Sequence, residues 1–137
     1  MASSFTTYFE EAILNHVFGK ASYTAPTMYA GLSTALPGRD ASGLAEPSGA
    51  NGYARVSTSA SNWNSAVDSG TAGLTDNHDA ITFPEATGSW GTVYYGCLFD
   101  NLTTGHLLAY FLLDTPTAIT TGNTPRFNAG DFNLTLT

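Results

Sequence analysis

A single cysteine, Cys97, excludes any disulfide within the chain, and it excludes a thiolate cage for structural zinc. The fold must therefore hold by packing, and the apolar neighbours at alternate positions, Val93, Tyr95 and Phe99, mark Cys97 as a small buried hydrophobe. Charge is scarce as well. Charged residues make up 11% of the 137 positions, against about a quarter in ordinary soluble domains. Four Lys and Arg face eleven Asp and Glu, a net charge of -7, and no basic cluster exists to neutralise a phosphate backbone. Nucleic acid is not an expected partner. Long hydrophobic runs are missing too. The longest, LLAYFLL at 107 to 113, has seven residues, whereas a helical span needs about 20, so no membrane association is expected. The opening MASSFTTYFEE has no basic region and brings two Glu before any apolar run, so it does not read as a signal peptide. The expectation is a chain made in a cytoplasm and remaining soluble.

Motifs that carry chemistry are also lacking. No serine sits in a GxSxG elbow, and the Gly-rich stretch 43 to 52 has neither the Lys nor the following helix of a phosphate cradle. His16, His78 and His106 are scattered, with no paired metal-ligand spacing. DNHD at 76 to 79 brings two carboxylates, an amide and an imidazole together. It lacks the spaced oxygens and glycine of a calcium loop and reads as the turn before a strand. Glu46, Glu85, Asp100 and Asp114 could formally supply a glycosidase pair, as in any acidic protein. NLT at Asn101 and Asn133 reads as turn and strand residues rather than glycosylation acceptors. No catalytic, cofactor-binding or metal-binding residue is assigned, and no enzyme activity is expected.

Gly, Ser, Thr, Asn and Ala are abundant instead, a composition that favours strands and turns. The helical exception lies at the start. From Ser4 to Phe18, apolar residues at Phe5, Phe9, Ala12, Ile13, His16 and Val17 recur at three-and-four spacing, which predicts one amphipathic helix. Ser4 is a candidate N-cap, Thr7 with Glu10 a candidate capping box, and Gly19 with Lys20 supplies the stop. After Pro26 the period becomes two, with Met28, Ala30 and Leu32 on one face. The stretch 36 to 52 is too long and too rich in Gly, Pro and Ser for an ordinary connection, and loops of this kind are usually functional or mobile. Strands are predicted at Tyr53 to Ser59, Ile81 to Phe83, Thr92 to Phe99 and Leu107 to Leu113, the last two forming a central hairpin. FNLTLT closes the chain, with Phe132, Leu134 and Leu136 expected inward. The predicted fold is mainly β, an antiparallel sandwich or flattened barrel with one N-terminal helix. It is read as one domain over 1 to 137, with the helix at about 4 to 18 and the β part at about 26 to 137.

Three segments, YAGLSTALP at 29 to 37, GLAEPSGANGYARV at 43 to 56 and ITFPEATGSWGTVYYGCLFDN at 81 to 101, resemble a family of short bacteriophage virion proteins commonly labelled phage tail fibre protein. GHLLAYFLL at 105 to 113, a threonine-rich turn and GNTPRFNAGDFNLTL at 122 to 136 follow in the same order. The resemblance covers essentially the whole chain, and its motifs are structural rather than chemical. It implies a non-enzymatic structural protein of the virion, tail-associated or particle-decorating, with other virion proteins of tail, baseplate or capsid as partners and a homo-oligomeric state. Two alternatives go with it: a capsid decoration protein, and a module that binds host-surface glycan.

Within that frame, the helix face bearing Phe5, Phe9, Ile13, His16 and Val17 is the candidate attachment surface. Trp63 and Trp90 are the candidate surface-binding aromatics.

Overall fold

The structure is a computed structural model that describes residues 3–137; Met1 and Ala2 lie outside the described residues. Its strands are β1 (Ser3–Phe5), β2 (Tyr29–Ser33), β3 (Val56–Ser57), β4 (Val67–Asp68), β5 (Gly73–Asp76), β6 (Ile81–Thr82), β7 (Gly91–Phe99), β8 (Leu107–Ile119), β9 (Arg126–Phe127) and β10 (Asn133–Leu136), with one helix, α1 (Thr7–Val17). Among the described residues they form a five-stranded sheet ordered β1-β8-β7-β2-β3, a three-stranded sheet β10-β5-β4 and the pair β6-β9. All pairings are antiparallel. The sheets do not close, so of the two predicted architectures the sandwich is the one formed and the flattened barrel is not.

The β7–β8 hairpin stands at the centre because its residues are apolar on both faces. One face places Ala30, Leu32, Val93, Leu98, Ala109 and Phe111 against residues of the smaller sheets, among them Ile81, Phe83, Phe127, Phe132 and Leu134. Edge-on aromatic contacts knit this layer: the Phe111 and Phe132 ring centroids are 4.7 Å apart and those of Phe127 and Phe132 5.0 Å. The other face holds Cys97, Phe99, Leu107 and Tyr110, covered by Ala41 and Leu44 of the long 36 to 52 loop. Glycines permit the aromatic layers. A Cβ on Gly31 would lie 2.6 Å from the Phe99 ring, and one on Gly96 would strike the Phe111 ring.

The 36 to 52 loop is anchored to the sheet at Ala41, Leu44 and Glu46. Glu46 and Arg55 form a two-pronged ion pair, Nε to Oε1 at 2.9 Å and Nη2 to Oε2 at 2.8 Å. Arg55 Nη1 donates to the carbonyls of Asn101 and Thr104, each at 2.8 Å, and the guanidinium lies 3.5 Å from the Phe99 ring centroid. Tyr53 donates its hydroxyl proton to Glu46 at 2.7 Å and accepts the Leu32 amide. Burial, and then the Glu46 charge, push the Tyr53 pKa up. The motif GLAEPSGANGYARV thus closes the loop onto the sheet.

Several details differ from the sequence reading. The helix begins at Thr7, not Ser4, because Ser3–Phe5 pairs with Phe111–Ala109 of β8 and its backbone is satisfied there. Thr6, not Ser4 or Thr7, is the N-cap. The 53 to 59 strand shrinks to Val56–Ser57, while β8 continues through the threonines to Ile119. Leu136, paired with Gly73 at the end of its sheet, is half exposed rather than inward.

Candidate functional site

Thr6 fixes one end of the helix. It is buried, its hydroxyl donates to Leu107 O at 2.7 Å, its amide donates to Leu108 O at 2.9 Å, and its oxygen caps the Phe9 amide. Glu10 pairs with Arg39, and the Thr7 amide donates to Arg39 O. Tyr8 stacks on His106, ring centroids 3.8 Å apart, and His106 Nδ1 is 2.9 Å from Asp100. All of these anchors lie in the first turn or next to it. No residue of the helix is buried, and residues 14 to 22 are all exposed. The end of α1 from Leu14 onward is therefore open to solvent. The chain leaves it through Gly19, in the left-handed conformation at φ +70°, with Lys20 and Ala21 amides bonded to Asn15 O.

This geometry redistributes the predicted attachment residues. Phe5 belongs to β1 and packs against the core, because strand pairing with β8 captured it before the helix began. Phe9 and Ile13 are half-buried, and Phe9 meets Phe5 at 5.1 Å and Tyr23 at 5.9 Å between ring centroids. His16 is exposed, and its Nδ1 accepts the Tyr23 amide at 3.1 Å, tying the returning chain to the helix. Val17 is exposed as well. The ridge that faces solvent consists of Leu14 (56% exposed), Val17 (68%) and Phe18 (72%), at the i, i+3, i+4 spacing of one helix face. The predicted stripe, spaced from Phe5, includes Val17 but passes over Leu14 and Phe18, since Phe5 belongs to a strand and sets no helical phase. An apolar residue pair just before the Gly19 stop was the available signal.

The two tryptophans are not surface platforms. Trp90 is a buried core residue whose indole N–H donates to Asn51 O at 2.7 Å. Trp63 is half-buried, edge-on to Phe132, and donates to Thr58 Oγ1 at 2.9 Å. The DNHD segment is a structural knot. Asn77 is fully buried, accepts the Phe132 amide at 2.8 Å, and donates to the carbonyls of Asp79 and Asn128. Asp79 is held below the usual carboxylate range by the Asn62 side chain and then by His78.

A second surface feature lies at the other end of the central hairpin. Between the pairs Val93↔Thr117 and Tyr95↔Leu112, one residue of β7 opposes four of β8, so residues 113 to 116 bulge outward. Beneath the bulge is a cavity of about 330 Å³. Its floor includes Val93, Phe111, Ile119 and Phe127, and its rim carries Asp114, Thr117, Arg126 and Asp131. The arrangement can seat an apolar group and complement a cation beside it. Sequence reading could not place it, because the bulge register is not visible in the residue pattern.

A family model described as podophage GP4 fiber I protein gp80 matches residues 4–135. The chain belongs to this fibre family. A search of curated proteins gave no match. Membership makes the chain a phage fibre structural protein and a component of the virion, in agreement with the family resemblance of its motifs. The long central hairpin and the packed Glu46–Arg55 loop belong to the scaffold of this fibre protein. The unburied helix end and the cavity under the β8 bulge are two of the surfaces it leaves open.

Proposed function

We propose that the chain is a non-enzymatic structural subunit of a tail-associated fibre, held in the particle by protein contacts through the free end of α1. The exposure of Leu14, Val17 and Phe18 on an otherwise anchored helix carries this reading. An apolar ridge rimmed by polar surface is what a protein interface buries. A decoration role elsewhere on the particle would use the same contact. The glycan-binding alternative has less support, since Trp90 stands in the core and Trp63 is half-buried against Phe132 with its indole N–H bonded to Thr58.

The test is incorporation. Particles assembled with a Leu14→Asp, Phe18→Asp variant are expected to lack the chain, although the purified variant keeps the wild-type melting temperature. Normal incorporation of the variant would remove the helix from the attachment role.

A further inference from the structure

The partner of the helix ridge can be named from the chain's own surfaces. Resting on the reading above, we propose that the free end of α1 in one copy inserts into the cavity beneath the β8 bulge of the next copy, building a head-to-tail series. Phe18 fills the apolar floor, and Lys20 meets the carboxylates of the rim.

Charge supports the match. The chain has four Lys and Arg. Arg39 is paired with Glu10 and Arg55 with Glu46, whereas among the described residues neither Lys20 nor the rim residue Arg126 forms an ion pair. Lys20 lies two positions from Phe18, the most exposed of the large apolar residues. The cavity answers with an apolar floor and with Asp114 and Asp131 against the one cation Arg126. An apolar knob with an adjacent cation thus faces an apolar hole with a net acidic rim.

No residue of α1 or of the segment that leaves it lines the chain's own cavity, and Phe18 is exposed, so the proposed contact is between copies. β1 runs antiparallel to β8 from Phe111 toward Ala109, and the helix starts opposite Leu108 and Leu107, with Tyr8 on His106. The helix therefore sits at the 100 to 106 loop end. The cavity is lined by β8 residues from Phe111 to Ile119, a stretch that begins about 13 Å beyond Leu107 at roughly 3.3 Å per residue. Knob and hole are different surfaces of one chain, so their contact is a heterologous interface, which propagates instead of closing on a two-fold axis.

The experiment uses the full chain and sedimentation at increasing concentration. The wild type is expected to self-associate. Phe18→Asp, which removes the knob, and Thr117→Trp, which obstructs the cavity mouth, are each expected to raise the dissociation constant by about 30-fold or more. Melting temperature checks that both variants remain folded. Mixed together, these two variants retain one intact knob and one intact hole, and they should form a heterodimer that grows no further. Lys20→Glu and Asp114→Lys should each weaken association, and their combination should restore part of it.

A monomeric wild type at every concentration overturns the proposal, as does self-association that Phe18→Asp leaves unchanged, or a mixture that yields no heterodimer. Loss of association by Phe18→Asp with no effect of Thr117→Trp also overturns it, since the knob would then sit elsewhere. A monomeric chain that still needs Phe18 to enter particles would sink the self-docking and leave the attachment reading standing. Self-association as expected, with Phe18→Asp incorporated normally, would do the reverse.

Discussion

At the scale of single residues, the chain's few ionisable groups are mostly committed to holding backbone in place. Glu46 neutralises a guanidinium whose side chain is only 8% exposed, and removing it leaves that charge without its partner. Glu46→Gln is expected to cost about 3 kcal/mol of unfolding free energy, the low end for a buried pair because Glu46 itself reaches solvent. Urea unfolding measures it, with Arg55→Lys expected to lose stability as well, since an ammonium cannot make the forked contact or lie flat on Phe99. Cys97 is fully buried, and burial, then the nearby Glu46 charge, raise its pKa well above the ordinary thiol range. An aromatic disulfide reagent at mildly alkaline pH should leave the native protein unlabelled and label it fully in denaturant; rapid native labelling would place Cys97 outside the core. Its inertness was readable in the alternating apolar neighbours. The ion pair was not, because a polar Gly- and Pro-rich stretch looks the same whether it is solvated or folded onto a sheet.

At the scale of elements, the helix is held firmly at its N-terminal end and unsupported beyond it. Thr6→Ala removes the cap and a bond to β8, and it is expected to destabilise the protein by about 1–2 kcal/mol. Phe18→Asp, in the unsupported half, should shift stability by less than about 0.5 kcal/mol. Thermal melts of the two variants test this contrast, and equal losses would mean that the helix end is packed. The glycine stop at Gly19 and the apolar stripe made the helix and its C-terminus legible in the sequence. Its start was not legible, since Ser3–Phe5 becomes a strand only by pairing with Phe111–Ala109, more than a hundred positions away. The long central hairpin was legible from its two apolar runs, but not the bulge at 113 to 116, whose register depends on how far β8 continues toward Ile119. The cavity under the bulge was invisible for the same reason.

At the scale of the whole molecule, the sandwich is a rigid carrier with its core spent on packing and its chemistry on loop closure. The two most exposed of its large apolar residues among those described, Val17 and Phe18, stand with Leu14 on one helix end. Membership of the fibre family gives that surface a setting, a component of a phage particle. The most direct measurement is a reconstruction of the particle that contains the chain, at a resolution that shows side chains. Leu14, Val17 and Phe18 are expected to be buried against a neighbouring subunit. Finding those three residues in solvent, with the chain held to the particle by some other face, would contradict the account.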